Sequence, residues 1–170
     1  MSKIVWLTGL SGSGKTTLSK ILLKKLLNKK YKVKHIDGDN FRKRKKINSF
    51  SKKNIIQNNI SIINYVKKIQ KNFDYMIVSV ISPLIKTRIY AKQTFKEKYF
   101  EIFVSCKIKN LEIRDTKGLY KKAKRNEIQN LIGYNSKIKY EKSPYKRIVV
   151  ITDKYSVTEC INKIMGKILK

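Results

Sequence analysis

The sequence predicts an α/β protein with a five-stranded parallel sheet covered by helices on both faces, and three observations carry that prediction. Short apolar, β-branched runs alternate with longer helical patterns, the signature of successive βα units. A glycine-rich turn separates the first apolar run from the first helical pattern, at the edge where such sheets bind ligands. The chain has 170 residues, 41% of them hydrophobic, enough to bury one sheet between two helical layers but not to build two cores. One domain over residues 1–170 is therefore expected.

The strands are expected at Ile4 to Thr8, Val33 to Ile36, Tyr75 to Ile81, Phe100 to Cys106 and Ile148 to Thr152. Helical patterns fill the intervals: Lys15 to Asn28, Lys52 to Lys71, Pro83 to Lys98, Asn110 to Thr116, Leu119 to Arg125 and Ser156 to Leu169. Leu18, Ile21, Leu22 and Leu26 recur at helical spacing in the first of these, and Ile56, Ile60, Ile63 and Val66 in the second. The stretch from Asn126 to Arg147 is polar and aperiodic and carries Gly133 and Pro144. It is expected to be a mobile flap over a site rather than core.

The formal net charge of +30 suggests a polyanionic partner. Its make-up argues otherwise, because only six of the 41 basic residues are Arg, and bidentate phosphate or base recognition favours Arg. The lysines run from Lys3 to Lys170 without gathering on one element, which reads as a solvated surface of incidental electrostatic value; steering of an anionic small substrate is the alternative. No nucleic-acid partner is expected. No apolar run approaches the ~20 residues of a membrane span, and Met1-Ser2-Lys3 leads straight into an apolar strand rather than a cleavable leader. Cys106 and Cys160 have neither metal-ligand nor disulfide spacing. A cytoplasmic protein is the expectation, with both cysteines packed as apolar side chains and His35 structural.

Gly9-Leu-Ser-Gly-Ser-Gly-Lys15-Thr16 fits G-x-x-x-x-G-K-[ST], between a strand and a helix as its mechanism requires. The glycines of such a P-loop let backbone N–H groups converge on phosphate, and the helix N-terminus adds positive dipole. Gly9, Ser11, Gly12, Ser13, Gly14, Lys15, Thr16 and Thr17 form the predicted ATP-phosphate set, with Lys15 reaching the β and γ phosphates and Thr16 ligating Mg²⁺. Asp37-Gly38-Asp39-Asn40 follows the second strand, with Arg42 close behind. Asp and Asn also cluster at strand ends as turn formers. Two carboxylates and an Arg opposite a P-loop nevertheless suit an acceptor site, where one acid takes a hydroxyl proton, the other lies on the metal side and the Arg pairs with an acceptor phosphate. No Asn-Lys-x-Asp guanine signature follows any strand, so a small-molecule kinase is favoured over a GTPase switch.

These residues resemble the adenylylsulfate kinase family, which transfers the γ-phosphate of ATP to the ribose 3′-hydroxyl of adenylyl sulfate. Besides the P-loop and Asp37-Gly-Asp-Asn-Phe-Arg42, the likeness includes Phe50-Ser51, Asn58, Ile81-Ser82-Pro83, Arg88 and Ala91. It continues through Arg114-Asp-Thr-Lys-Gly-Leu-Tyr-Lys-Lys-Ala123 and Tyr140-Glu141. The resemblance implies a P-loop NTPase fold, ATP and Mg²⁺, small nucleotide substrates and a homodimer. It makes Asp39 the general base and Asp37 a magnesium-side carboxylate, catalytic together with Lys15. Arg42, Phe50, Asn58, Ile81, Ser82, Lys117, Gly118, Leu119 and Leu131 would hold or cover the acceptor, with Arg114 on the ATP side. Ser82 is read as a strand-end residue lining the site, not as a phosphorylated nucleophile.

The departures from the family pattern fall on the acceptor side. An Asp-Arg pair is replaced by Asn54 and Ile55, the second ring of the adenine clamp falls at Leu131, an Arg after I-S-P-x is Ile85, and a shorter basic stretch, Lys43 to Ile47, replaces a G-L…L-G segment. Losing a stacking ring (~1–3 kcal/mol) and a charge-assisted hydrogen bond (~1.5–3 kcal/mol) weakens adenylyl sulfate binding unless something replaces them. The pattern favours a sibling acceptor with a smaller base, cytidine diphosphoramidate, used in phosphoramidate modification of capsular polysaccharide. Adenylyl sulfate itself, in sulfate assimilation, is the alternative.

Overall fold

The computed structural model describes residues 2–44 and 50–169, so residues 45–47 of the basic stretch lie outside the described residues. Strands β1 (Lys3–Thr8), β2 (Val33–Asp37), β3 (Tyr75–Ser79), β4 (Tyr99–Ser105) and β5 (Ile148–Ile151) form one parallel sheet in the order β2-β3-β1-β4-β5. The helices are α1 (Lys15–Asn28), α2 (Gly38–Arg44), α3 (Lys52–Ile69), α4 (Ile85–Phe95), α5 (Ile108–Arg114), α6 (Leu119–Lys124) and α7 (Val157–Ile168), with short 3₁₀ turns at 70–72 and 96–98. All five expected strands are present.

β1 lies at the centre because its residues alternate between two apolar layers. Val5 and Leu7 pack with Leu18, Leu22 and Leu26 of α1 and Ile161 and Ile164 of α7. Ile4 and Trp6 face Ile62, Ile63 and Val66 of α3 and Ala91 and Phe95 of α4. A strand covered on both faces reads as an unbroken apolar run rather than an alternating one. The chain turns back on itself to either side of β1, so the crevice of this open sheet lies where β1 delivers the glycine-rich loop.

Four local expectations change. The Asp-Gly-Asp-Asn segment opens a helix, α2, since Asp37 Oδ1 accepts from the backbone N–H groups of Asp39 and Asn40 at 3.0 and 3.1 Å. β3 ends at Ser79 rather than Ile81, and α4 starts at Ile85 rather than Pro83. The buried stripe of α3 is Ile55, Asn58, Asn59, Ile62, Ile63 and Val66, with Ile56 and Ile60 only partly covered. The stripe is rotated because two asparagines are drawn inward: Asn59 Nδ2 donates to Ile55 O at 2.9 Å, and its Oδ1 accepts from the Ser82 hydroxyl at 2.5 Å.

The stretch 126–147 forms neither helix nor strand, yet it is not laid loosely over the surface as its polarity suggested. Leu131 and Ile132 are buried in two separate apolar clusters. Tyr140 shares a 2.9 Å hydrogen bond with Thr8 Oγ1 at the end of β1. Glu141 donates its N–H to Pro83 O at 2.8 Å and accepts the Ile85 N–H on its carboxylate at 2.5 Å, tying the stretch to the start of α4. Single apolar anchors separated by turns leave no periodic trace in a sequence.

A charged hub fixes the second half of this stretch. Arg88 of α4 is fully buried and donates to the carbonyls of Ser82 and Glu141. Its Nε lies 3.5 Å from the equally buried carboxylate of Glu101 on β4. Glu101 also accepts from the Ser143 and Tyr145 hydroxyls at 2.7 and 2.5 Å and lies 3.6 Å from Arg147. Removing one member of a buried ion pair strands the other without water. Glu101→Ala should therefore lower the unfolding free energy by ~3–5 kcal/mol in urea titration; a loss below ~1 kcal/mol, the scale of exposed pairs, would contradict the hub.

Candidate active site

The glycine-rich loop runs from Gly9 to Gly14 and hands over to α1 at Lys15. Gly9 is obligatory at φ 146°, since a Cβ there would stand 2.3 Å from the Val104 carbonyl oxygen. Strand β4 thus presses directly on the loop, and β5 clamps it from beyond. Thr152 donates its hydroxyl to Ser13 O at 2.9 Å and its methyl group lies against Gly14. Arg114 grips the same residue, donating to Thr152 Oγ1 at 3.0 Å and to Thr152 O at 2.5 Å. Arg114 thereby stands next to the phosphate loop. Thr152 was missed, because a threonine at a strand end carries no signal in sequence.

Lys15 folds back over the loop that holds it, its Nζ donating to Gly9 O at 2.9 Å and Leu10 O at 2.6 Å. Burial pushes the Lys15 ammonium down to about 8, Asp39 and Asp37 opposing that shift and Lys117 adding to it. Thr16 Oγ1 lies 3.5 Å from Asp37 Oδ2, which also accepts from Ser79 Oγ at 3.4 Å. Hydroxyl and carboxylate oxygens side by side are the hard donors Mg²⁺ prefers. The described residues hold no cluster of three metal-ligating His, Cys, Asp or Glu. Mg²⁺ held by Thr16 and Asp37 would accordingly take its other oxygens from phosphate and water. Thr17, in the next position, is exposed on α1.

Across the crevice stands Asp39, the focus of positive charge. Lys117 Nζ approaches its Oδ2 at 2.6 Å and Arg42 Nη2 its Oδ1 at 3.1 Å. Burial alone would raise the Asp39 carboxyl, but the hydrogen bond and charge of Lys117, with the charges of Arg42 and Lys15, outweigh it and hold the group below the usual carboxylate range. Lys117 reaches this place because Gly118 turns the chain at φ 64° and Asp115 caps α6, accepting from Tyr120 N and Lys121 N at 3.0 and 2.8 Å.

Asp39 borders a narrow cleft between α2 and α3. It is lined by Arg42, Phe50, Asn58 and Ile81 of the expected acceptor set, and also by Asn54, Ile55, Asn59, Val80 and Ile132. The Arg42 guanidinium sits 4.3 Å from the centre of the Phe50 ring. Asn58 is buried and its Oδ1 has no hydrogen-bond partner among the described residues, an unusual expense in a folded protein that a bound ligand would relieve.

Three predicted acceptor residues stand elsewhere. Leu131 turns away from the cleft into a cluster with Leu111, Tyr120 and Ala123, oriented by the Asn135 side chain, which accepts from Leu131 N at 3.0 Å and donates to Ile128 O at 2.6 Å. Its neighbour Ile132 faces the cleft instead. Leu119 packs against the same cluster as Leu131. Ser82 is buried behind the wall, its hydroxyl donating to Asn59 and accepting from Trp6 Nε1 at 3.1 Å, so it braces the site without lining it.

The Lys15 ammonium must be charged to hold a triphosphate, so nucleotide binding takes up a proton whenever the free group is deprotonated. Affinity for a Mg²⁺-bound, non-hydrolysable ATP analogue should stay level up to pH ~7 and fall by as much as tenfold per pH unit above ~8. Calorimetric titration of wild type and Lys15→Ala from pH 6.5 to 9.5 checks this. The variant should bind weakly with a shallower pH dependence, and equal slopes would contradict the role of Lys15.

Comparison with known proteins agrees with this geometry. The family model for adenylylsulphate kinase matches residues 1–151. The chain is 39% identical over 155 residues to a probable adenylyl-sulfate kinase of Archaeoglobus fulgidus, covering 91% of this chain and 98% of that protein. It is 36% identical over 166 residues to the adenylyl-sulfate kinase of Oceanobacillus iheyensis, covering 96% and 82% respectively. Among solved structures, the Mycobacterium tuberculosis APS kinase CysC in complex with AMPPNP and APS superposes with a TM-score of 0.89 at 29% identity, over 99% of this chain and 98% of that one. Shikimate kinase from Aquifex aeolicus, at 15% identity and a TM-score of 0.58, shares the P-loop kinase fold. Fold, site and relatives agree that the chain belongs to the adenylylsulphate kinase family, phosphotransferases that use ATP and Mg²⁺ to phosphorylate a nucleotide 3′-hydroxyl.

Proposed function

We propose that this protein transfers the γ-phosphate of ATP to the ribose 3′-hydroxyl of adenylyl sulfate. The observation that carries the reading is Asp39, an ionised carboxylate at the mouth of the cleft, bonded to Lys117 at 2.6 Å and close enough to Lys15 to influence its titration. The adenylyl-sulfate kinases among the relatives match over nearly the whole chain, which supports this acceptor. A homodimer, expected from the family, belongs to the same proposal and is checked by sedimentation.

In this reading Asp39 accepts a hydrogen bond from the 3′-hydroxyl, orients its oxygen toward the γ-phosphate and takes its proton as the new bond forms. A loose phosphoryl transfer state needs alignment and positive charge more than a strong base, which suits a carboxylate held below its usual range. Lys15 leaves the loop carbonyls to meet the β and γ phosphates. Lys117 and Arg42 pass from Asp39 toward the phosphates of donor and acceptor. Thr16 and Asp37 would hold Mg²⁺, which would neutralise phosphate charge. Residues 126–147 form the lid, with Ile132 in the wall of the cleft, and keep water from the transferring group.

One observation favours a second acceptor. Phe50 is the only ring among the described residues lining the cleft, and the opposing positions carry the aliphatic Ile55 and Ile132. A site with one ring and no second arginine suits a smaller base, as in cytidine diphosphoramidate. Steady-state assay of both acceptors with ATP and Mg²⁺ decides between them. The first reading requires kcat/KM for adenylyl sulfate to be the larger; the second requires a preference of tenfold or more for the cytidine compound, the worth of ~1.4 kcal/mol of lost stacking or hydrogen bonding. With whichever acceptor reacts, Asp39→Asn should lower kcat by ~10²–10⁴ and leave affinity for the ATP analogue nearly intact. Equal losses of rate and nucleotide affinity would remove Asp39 from the acceptor side.

A further inference from the structure

Phosphate loop, lid and acceptor wall meet at one side chain that no motif singles out. Leu10, the variable residue after Gly9, is the only one among the described residues that packs against both small apolar clusters of the carboxyl edge. One cluster holds Leu111, Tyr120, Ala123 and Leu131. The other holds Ile55, Leu84 and Ile132, two of which line the cleft beside Asp39. Above Leu10 lies Gly133 at φ 79°, so tightly that a Cβ there would be 2.5 Å from Leu10 Cδ2. A second strut runs in parallel, for Tyr120 donates its hydroxyl to Ser11 O at 2.9 Å and meets the Tyr134 ring edge-on at 5.5 Å.

The main chain of Leu10 is equally committed. Its carbonyl accepts from Lys15 Nζ at 2.6 Å and from Ser13 N at 3.3 Å. A triphosphate competes for that ammonium, so filling the loop weakens its hold on the Leu10 carbonyl. The side chain on the same residue has no slack against Gly133, and packed cores switch between discrete arrangements rather than deform smoothly.

We propose that Leu10 is a positioning residue that transmits occupancy of the phosphate loop to the lid turn 131–134 and, through Ile132 and Ile55, to the wall of the acceptor cleft. This rests on the reading that the cleft takes the acceptor, but its test needs only the nucleotide. Loss of the Lys15 hydrogen bond lets Leu10 shift, the turn settles on it, and Ile132 is set before the acceptor arrives.

Hydrogen exchange followed by mass spectrometry provides the test, with and without Mg²⁺ and AMPPNP. The reporters are the amides of Tyr134 and Ser136, both bonded to Leu131 O at 3.0 and 3.2 Å, and that of Leu131. In wild type, nucleotide should slow exchange across these amides by about fivefold or more, the lower end of ordinary coupling between sites. Leu10→Ala, shown by calorimetry to bind the analogue, should lose that response, and Leu10→Met, which refills the space, should restore it. Should Leu10→Ala not fold, Gly133→Ala attacks the same contact from the lid side and should abolish the response as well. Absence of nucleotide-dependent protection in wild type overturns the proposal, as does a response in the alanine variants equal to that of wild type. Failure of the acceptor assay would leave these results unaffected, so the two readings fail separately.

Discussion

The carboxyl edge of this sheet is organised around a concentration of positive charge that one carboxylate holds in place. Lys15, Arg42 and Lys117 come from three different elements and all bear on Asp39. Three cations brought together without that partner would repel one another; with it, they are held together beside the phosphate loop. In the proposed reaction an incoming substrate pair, carrying several negative charges, takes over each cation in turn, and the carboxylate that assembles the charge turns to the hydroxyl.

Keeping those cations in register demands rigidity from parts of the molecule with no contact with substrate. β4 and β5 clamp the phosphate loop through Val104 O and Thr152, and Arg114 ties α5 to the same point. On the other flank, Arg88 and Glu101 anchor the stretch that follows Ile138 to the core of the sheet. Ser82, Asn59 and Trp6 form a buried chain of hydrogen bonds behind the acceptor wall. Several of these polar groups meet partners distant in sequence, such as Arg88 with Glu141, Ser82 with Trp6 and Thr152 with Ser13, and this makes the edge stiff where an apolar packing of the same volume would permit sliding.

The overall charge of +30 takes on a different meaning in this arrangement. Arg42, Arg88, Arg114 and Arg147, four of the six arginines, occupy fixed positions at the site or in the Glu101 hub, whereas most of the lysines are spread over the surface. Planar guanidinium groups are placed where two or more contacts must be made at once, and the flexible ammonium groups are left to the solvated surface.

By itself the sequence determined the sheet, since apolar β-branched runs alternating with helical stripes permit little else. It also made the phosphate loop, the Asp37 to Arg42 segment and Lys117 stand out as candidate site residues, because these depend on local spacing. Family membership was legible in the same motifs. What only the tertiary structure decided depends on partners far apart in the chain. Leu131 and Ile132 are adjacent and alike in sequence, yet a turn fixed by Asn135 sends one into an apolar cluster and the other into the cleft. Ser82 reads as a residue lining the site, but its hydroxyl bonds Asn59 inside the protein. Arg88, Ser143 and Tyr145 close around Glu101 from other parts of the chain. The stretch 126–147 reads as loose because its anchors are single side chains, Ile132, Tyr140 and Glu141. Periodicity records one element covering another, whereas an isolated contact across the fold leaves no repeating pattern to read.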